Sequence, residues 1–160
     1  MAGADERFAA AAAAAGLDVT IHRFPEGTRT AEDAARAVGC AVGQIVKSLV
    51  FLADGSPVVA LVSGADRLDT GRLATALNAT TVHRADGDAV RDATGYAIGG
   101  VPPFGHARPL PVLMDRGLLV HEVVWAAAGR PDAVFAVTPA ALERASGALV
   151  TDLAELPSQP

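Results

Sequence analysis

The stretch "QIVKSLVFLADGSPVVALVSG", residues 44–64, decides the fold of this 160-residue chain. Its first half sets Ile45, Val46, Leu49, Val50, Phe51 and Leu52 around a single lysine, the pattern of a strand buried on both faces. "DG" at 54–55 turns the chain into a second apolar run, "PVVALVSG" at 57–64. Asp-Gly between two such runs signals a β-hairpin, and we assign it a loop longer than two residues. Side chains alternate along a strand, so Lys47 points the same way as Ile45, Leu49 and Phe51. A lysine flanked like that is hard to solvate.

Outward from the hairpin the elements mix. Residues 4–15 read as a surface helix ended by Gly16, and 19–24, "VTIHRF", as a short strand. Thr30 followed by Asp33 resembles a capping box opening a helix through Val38, stopped by Gly39. Helices are expected over 67–77 and 86–93. Glycines and prolines exclude a regular element from 94–109, "TGYAIGGVPPFGHARP". A strand follows at 110–115. Residues 118–129 begin with helix-or-strand ambiguity and finish as a strand at 123–127. "RPD" at 130–132 turns the chain into an antiparallel strand at 133–137, and Thr138 caps a helix whose first residue is Pro139. A last strand or extended tail lies at 147–153. Helices interleave irregularly with hairpins, without a regular βαβ rhythm or a linker, which gives one α+β domain over 1–160.

Composition narrows the function. The apolar stretches are strand-length, well short of the roughly 20 residues that span a bilayer. "FAAAAAAA" at 8–15 lacks a basic leader and follows Asp5 and Glu6, so it reads as helix rather than signal peptide. One cysteine, Cys40, excludes an internal disulfide and a multi-cysteine zinc site. Net charge is −5, which is not the footprint of a protein gripping long nucleic acid, so no DNA partner is expected. It leaves room for recognising a small nucleic-acid end in a pocket. Four scattered histidines form no metal pair, and neither metal nor cofactor is expected. Together these features point to a cytoplasmic protein.

Two features carry chemistry. Lys47 is either a snorkelling lysine on an edge strand or an ammonium at a cleft wall, where low dielectric strengthens its pull on an ester carbonyl or phosphate. The loop "GGVPPFG", 99–105, is either an irregular connection or a rigid set of backbone donors suited to an oxyanion or phosphate. His106 beside it is the histidine to watch. No G-x-S-x-G is present, and Asp66, Asp69, Asp115 and Asp132 read by default as turn or cap residues.

"TAEDAARAVG" at 30–39, "IVKSLVF" around Lys47 and "TGYAIGGVPPFG" at 94–105 occur in one order. Together they resemble the YbaK/EbsC family, which includes the editing insertion domain of bacterial prolyl-tRNA synthetases. The resemblance runs from about Thr20 to Leu153. It implies a mixed, barrel-like sheet flanked by helices. It also implies hydrolysis of the ester that joins a wrong amino acid to the terminal adenosine of a tRNA, with help from the ribose 2′-hydroxyl. Lys47 then matches the family's essential lysine, and Gly99, Gly100, Val101, Pro102 and Pro103 match its G-x-x-x-P loop. Asp132 falls where the cysteine-specific branch carries an aspartate. That branch has a tyrosine after "IH", whereas "IHRF" here offers Phe24, which has no hydroxyl. The implied activity is a trans-editing deacylase for a small amino acid on tRNA(Pro), with the tRNA acceptor end and prolyl-tRNA synthetase as partners. Two alternatives remain at this point. One, favoured by Phe24, is an inactive module binding the acceptor end or a synthetase; the other is a small-molecule phosphate binder using the same loop.

Overall fold

In a computed structural model, which describes residues 3–24 and 30–156, the hairpin is the centre of the sheet. Three elements precede it: helix α1 (Ala4–Ala14), strand β1 (Ile21–Arg23) and helix α2 (Ala31–Val38). The hairpin itself is β2 (Val46–Ala53) and β3 (Ser56–Ser63), paired antiparallel over eight residues. Its loop is shorter than expected. Ala53 pairs with Ser56, leaving only Asp54 and Gly55 between the strands, with φ of 48° and 83°. Two positive φ values give the turn whose twist matches the flanking strands. Asp54 tolerates this because its carboxylate accepts from the N–H groups of Thr80 and Thr81, at 3.1 and 2.8 Å. Those bonds also hold its pKa below the usual carboxylate value.

The remaining elements are α3 (Thr70–Leu77), β4 (Val82–Arg84), α4 (Gly87–Thr94), β5 (Val112–Asp115), β6 (Val124–Ala127), β7 (Ala133–Val137), α5 (Pro139–Ser146) and β8 (Leu149–Thr151). One sheet runs β4-β2-β3-β5-β8, and the other runs β1-β7-β6. A single parallel bridge between Ile45 and Trp125 joins them, giving the mixed, barrel-like arrangement of an α+β domain.

Alternation along the hairpin separates two apolar clusters. Val46 and Val50 face inward with Val59 and Leu61, whereas Phe51 packs with Val58, Ala60 and Val62 under Leu73 of α3. Lys47, opposite Val62, belongs to the second face. Capping sets the helix boundaries. The Thr30 hydroxyl accepts from the Asp33 N–H at 3.0 Å, and Gly39 ends α2 in the left-handed region. Helix α3 starts at Thr70 rather than 67, because Asp69 accepts from the N–H groups of Gly71 and Arg72. The ambiguous stretch resolves as a short 3-10 turn at Arg116–Val120 followed by β6.

Helix α1 has a buried seam of Phe8 and Ala12. Phe8 packs on Phe104 and Phe135, with ring centroids 5.2 and 4.7 Å apart. It thereby ties the segment after residue 99 to β7.

Candidate active site

Between Ile45, which bridges to β6 just before β2, and Phe51, where β2 pairs with Arg84 of β4, no strand among the described residues pairs with the outer edge of β2. A cavity of about 360 Å³ fills this gap. That is the lower end of the range for small-ligand sites. Strand β2 gives one wall, Trp125, Ala126, Ala127, Pro131, Ala133 and Val134 line another, and Thr30 with Ala31 and Ala34 of α2 closes a side. Gly99 and Val101 complete it, with Arg84 and Ile98.

Lys47 lines this cavity and is half-buried. Its ammonium donates to the main-chain carbonyl of Asp66, in the turn after β3. One of three N–H groups is thus engaged, and two remain for a ligand. Burial pushes the ammonium below the usual lysine value of 10.5; Asp66 and Glu32 pull it back up, while Arg67 and Arg84 push it further down. The tether to a carbonyl gives the charge a fixed position without neutralising it.

The 99–103 loop divides its labour by residue. Gly99 has φ +90°, and a Cβ there would meet only Pro131, at 3.7 Å. Gly100 is buried, and its N–H donates to the Ala97 carbonyl at 2.9 Å. A Cβ on Gly100 would lie 2.9 Å from both the Arg130 Cα and the Gly129 carbonyl oxygen. Gly100 therefore lets the loop sit directly on the 129–130 turn. Pro102 and Pro103 are buried behind the wall and have no N–H to offer. Among the described residues, the N–H groups of Gly99 and Val101 have no acceptor, so the donors the loop can present are these two. His106 fixes the loop from below, its Nε2–H donating to the Pro102 carbonyl at 2.8 Å. Burial lowers the His106 pKa, and the bond to Pro102 opposes that shift.

Phe24 and Asp132 are brought together with each other, not with Lys47. The Phe24 N–H donates to the Asp132 carbonyl at 2.8 Å. The Asp132 side chain is held by Arg130 at 2.9 Å and Arg23 at 3.9 Å, and the Arg130 hydrogen bond is the main reason its pKa lies below the usual carboxylate value. Neither residue is on the described cavity wall, whereas Pro131 between them is. The sequence reading did not single out Trp125 or Pro131, whose approach to Lys47 depends on closure of the two sheets, or Arg84, which the pairing of β4 with β2 brings to the same wall. Among the described residues, no group of three His, Cys, Asp or Glu is placed to hold a metal. No helix among them is long and apolar enough to cross a membrane.

The cavity thus joins an ammonium anchored on Asp66 and the glycine loop in one lining. Residues 25–145 match the family model "Aminoacyl-tRNA editing domain", and the chain belongs to that family. It is 30% identical over 129 residues to "Uncharacterized protein YwhH" of Bacillus subtilis, covering 81% of each chain. It is 36% identical over 97 residues to the proline–tRNA ligase of Citrifermentans bemidjiense; that match takes in 61% of this chain and 17% of the ligase. Among solved structures it superposes with a TM-score of 0.91 and 44% identity on a "putative trans-editing enzyme for prolyl tRNA synthetase", covering 97% of this chain and 99% of that one.

Proposed function

We propose that this protein is a trans-acting deacylase that hydrolyses the ester of a mischarged aminoacyl-tRNA, with tRNA(Pro) carrying a small amino acid as substrate. The observation that carries the reading is the shared cavity wall of Lys47, Gly99 and Val101 in a chain of the editing family. The relationship to the proline–tRNA ligase and to a protein described as editing for prolyl-tRNA synthetase supports the choice of tRNA(Pro).

An aminoacyl ester is already activated, so the protein needs to orient it and stabilise charge. Water adds to the ester carbonyl, and the Lys47 ammonium and the loop at Gly99 and Val101 line the cavity in which the resulting oxyanion is stabilised. Collapse expels the ribose oxygen, which takes the proton that the attacking water gave up, and leaves the amino acid and the uncharged tRNA. Donors fixed before the reaction stabilise the charge that develops without reorganising. The tether to Asp66 and the bond between His106 and Pro102 supply that fixity. The mostly aliphatic wall admits small side chains and excludes large ones. Packing alone separates chains differing by one methylene about 10–200-fold, which is why a second sieve is useful beside a synthetase.

The test is a deacylation panel with cysteinyl-, alanyl-, seryl- and threonyl-tRNAs, starting with tRNA(Pro). Turnover of a small aminoacyl group that requires Lys47 supports the reading; absence of turnover on all of them would return the protein to the class of acceptor-end binding modules.

A further inference from the structure

Ser48 lies on the open edge of β2 and lines the cavity. A two-residue turn makes Ala53 and Ser56 a mutually hydrogen-bonded pair, so the pairs of Phe51, Leu49 and Lys47 with β3 are bonded in the same way. The main-chain groups of Val46, Ser48, Val50 and Leu52 must then face the other edge. The bond from the Ala85 N–H to the Val50 carbonyl, at 3.1 Å, is on that edge and fixes the alternation. Strand β4 reaches only as far as Phe51. Among the described residues no strand residue is paired with Ser48 on that edge. Its hydroxyl is also buried without a hydrogen bond. Buried polar groups are nearly always paired in folded proteins, and an unpaired buried hydroxyl beside an open strand edge on the cavity wall calls for a ligand.

We infer that Ser48 is the docking point for the amino acid itself, with the α-aminoacyl group bound as a one-residue strand along β2. An α-aminoacyl ester has a donor on its α-nitrogen and an acceptor on its carbonyl, the same pair that a strand residue offers its neighbour. The Ser48 C=O accepts from the α-amine and the Ser48 N–H donates to the ester carbonyl. The hydroxyl, on the inward face of β2, turns to accept a second amine hydrogen. The described wall has Lys47 and Arg84 but no carboxylate, so the amine must be received by neutral acceptors, as this arrangement provides. Recognition through main chain leaves side-chain selection to the opposite wall at Ala126 and Ala133. Ser48 thus specifies an α-amino acid, and the cavity specifies its size.

This inference rests on the editing reading, and the experiment separates the two. Two non-hydrolysable probes are titrated into the ¹⁵N-labelled protein: 3′-alanylamido-3′-deoxyadenosine and its deaminated counterpart, 3′-propionylamido-3′-deoxyadenosine. The alanyl probe is expected to bind at least about 10-fold more tightly, since the propionyl probe leaves the buried Ser48 carbonyl unpaired. The Ser48 amide proton is expected to move downfield with the alanyl probe. Ser48→Ala should weaken the alanyl probe by about 3- to 10-fold, leave the propionyl probe unchanged, and keep or raise Tm, because an unpaired buried hydroxyl is removed. Equal binding of the two probes, or an unmoved Ser48 amide, overturns the Ser48 assignment. If alanyl-tRNA(Pro) is still hydrolysed in a Lys47-dependent way in that case, the editing reading stands without it. If neither probe binds and no aminoacyl-tRNA is turned over, both fall.

Discussion

Replacing Lys47 with alanine separates a catalytic ammonium from a snorkelling one. In the fold, the change removes a half-buried charge held by one hydrogen bond to the Asp66 carbonyl. The lost bond is worth about 0.5–1.5 kcal/mol or somewhat more for its charge, and the relieved desolvation offsets it, so Tm should move little. Activity should behave differently. Removal of one fixed donor to a developing oxyanion costs about 2.7–4 kcal/mol, or roughly 10²–10³ in kcat. The assay is single-turnover loss of radiolabelled amino acid from alanyl-tRNA(Pro), with spontaneous hydrolysis subtracted. The pH profile adds a second arm. The folded pKa lies below 10.5, so as pH rises Lys47 loses its charge earlier than an exposed lysine would, and the enzymatic rate should fall through that window. Stability moves the other way. Between the folded and unfolded pKa values the unfolded chain binds more protons, so wild-type stability should rise with pH there, and the alanine variant should lack that rise. A Lys47→Ala protein that keeps its fold and near-wild-type turnover would refute the reasoning.

Loop substitutions should rank by mechanism. Gly100→Ala should destabilise by about 1–3 kcal/mol and lose most activity, because its Cβ meets backbone at 2.9 Å and the loop must lift off the 129–130 turn. Gly99→Ala has room but a φ of +90°, so thermal melts should show a cost of about 1–3 kcal/mol with impaired turnover. Val101→Ala keeps its N–H and should be the mildest for kcat; if it proves as damaging as Gly100→Ala, side-chain packing explains the loop better than donation. His106→Ala should lower kcat through a mispositioned Pro102, and His106→Gln, which can still donate to that carbonyl, should recover part of the loss. Thr30→Ala removes the cap of α2 and should cost about 1 kcal/mol in chemical denaturation, with a modest rise in KM because α2 forms part of the wall.

The elements written in local chemistry were legible in the sequence. Thr30 and Gly39 bound α2, Thr138 and Pro139 open α5, and the glycines and prolines after Thr94, the last residue of α4, exclude regular structure from 95 to 109, all by rules that act within a few residues. The hairpin was legible, but its turn length was not. A two-residue loop needs Asp54 at positive φ, and the support for that comes from Thr80 and Thr81, far along the chain. The site divides in the same way. Lys47 and the glycine loop were visible as residues out of keeping with their surroundings. Asp66 was invisible in its actual role, since Lys47 uses its carbonyl and any residue has one. Ser48 was invisible as well, because an open strand edge is a property of where neighbouring strands stop.

Phe8, Phe104 and Phe135 meet although they come from the beginning, the middle and the late part of the chain. This gives the site an order of assembly. The β2–β3 hairpin closes over a short sequence separation and can form early, with Lys47 already on it. The glycine loop has nothing to rest on until β7 arrives, and the 129–130 turn that Gly100 contacts arrives just before it. Contacts of such long separation form late because loop closure must precede them. During synthesis from the N-terminus, the nascent chain therefore has its lysine well before it has a pocket. The expected order of assembly therefore completes the cavity last, once Phe135 has joined the aromatic cluster.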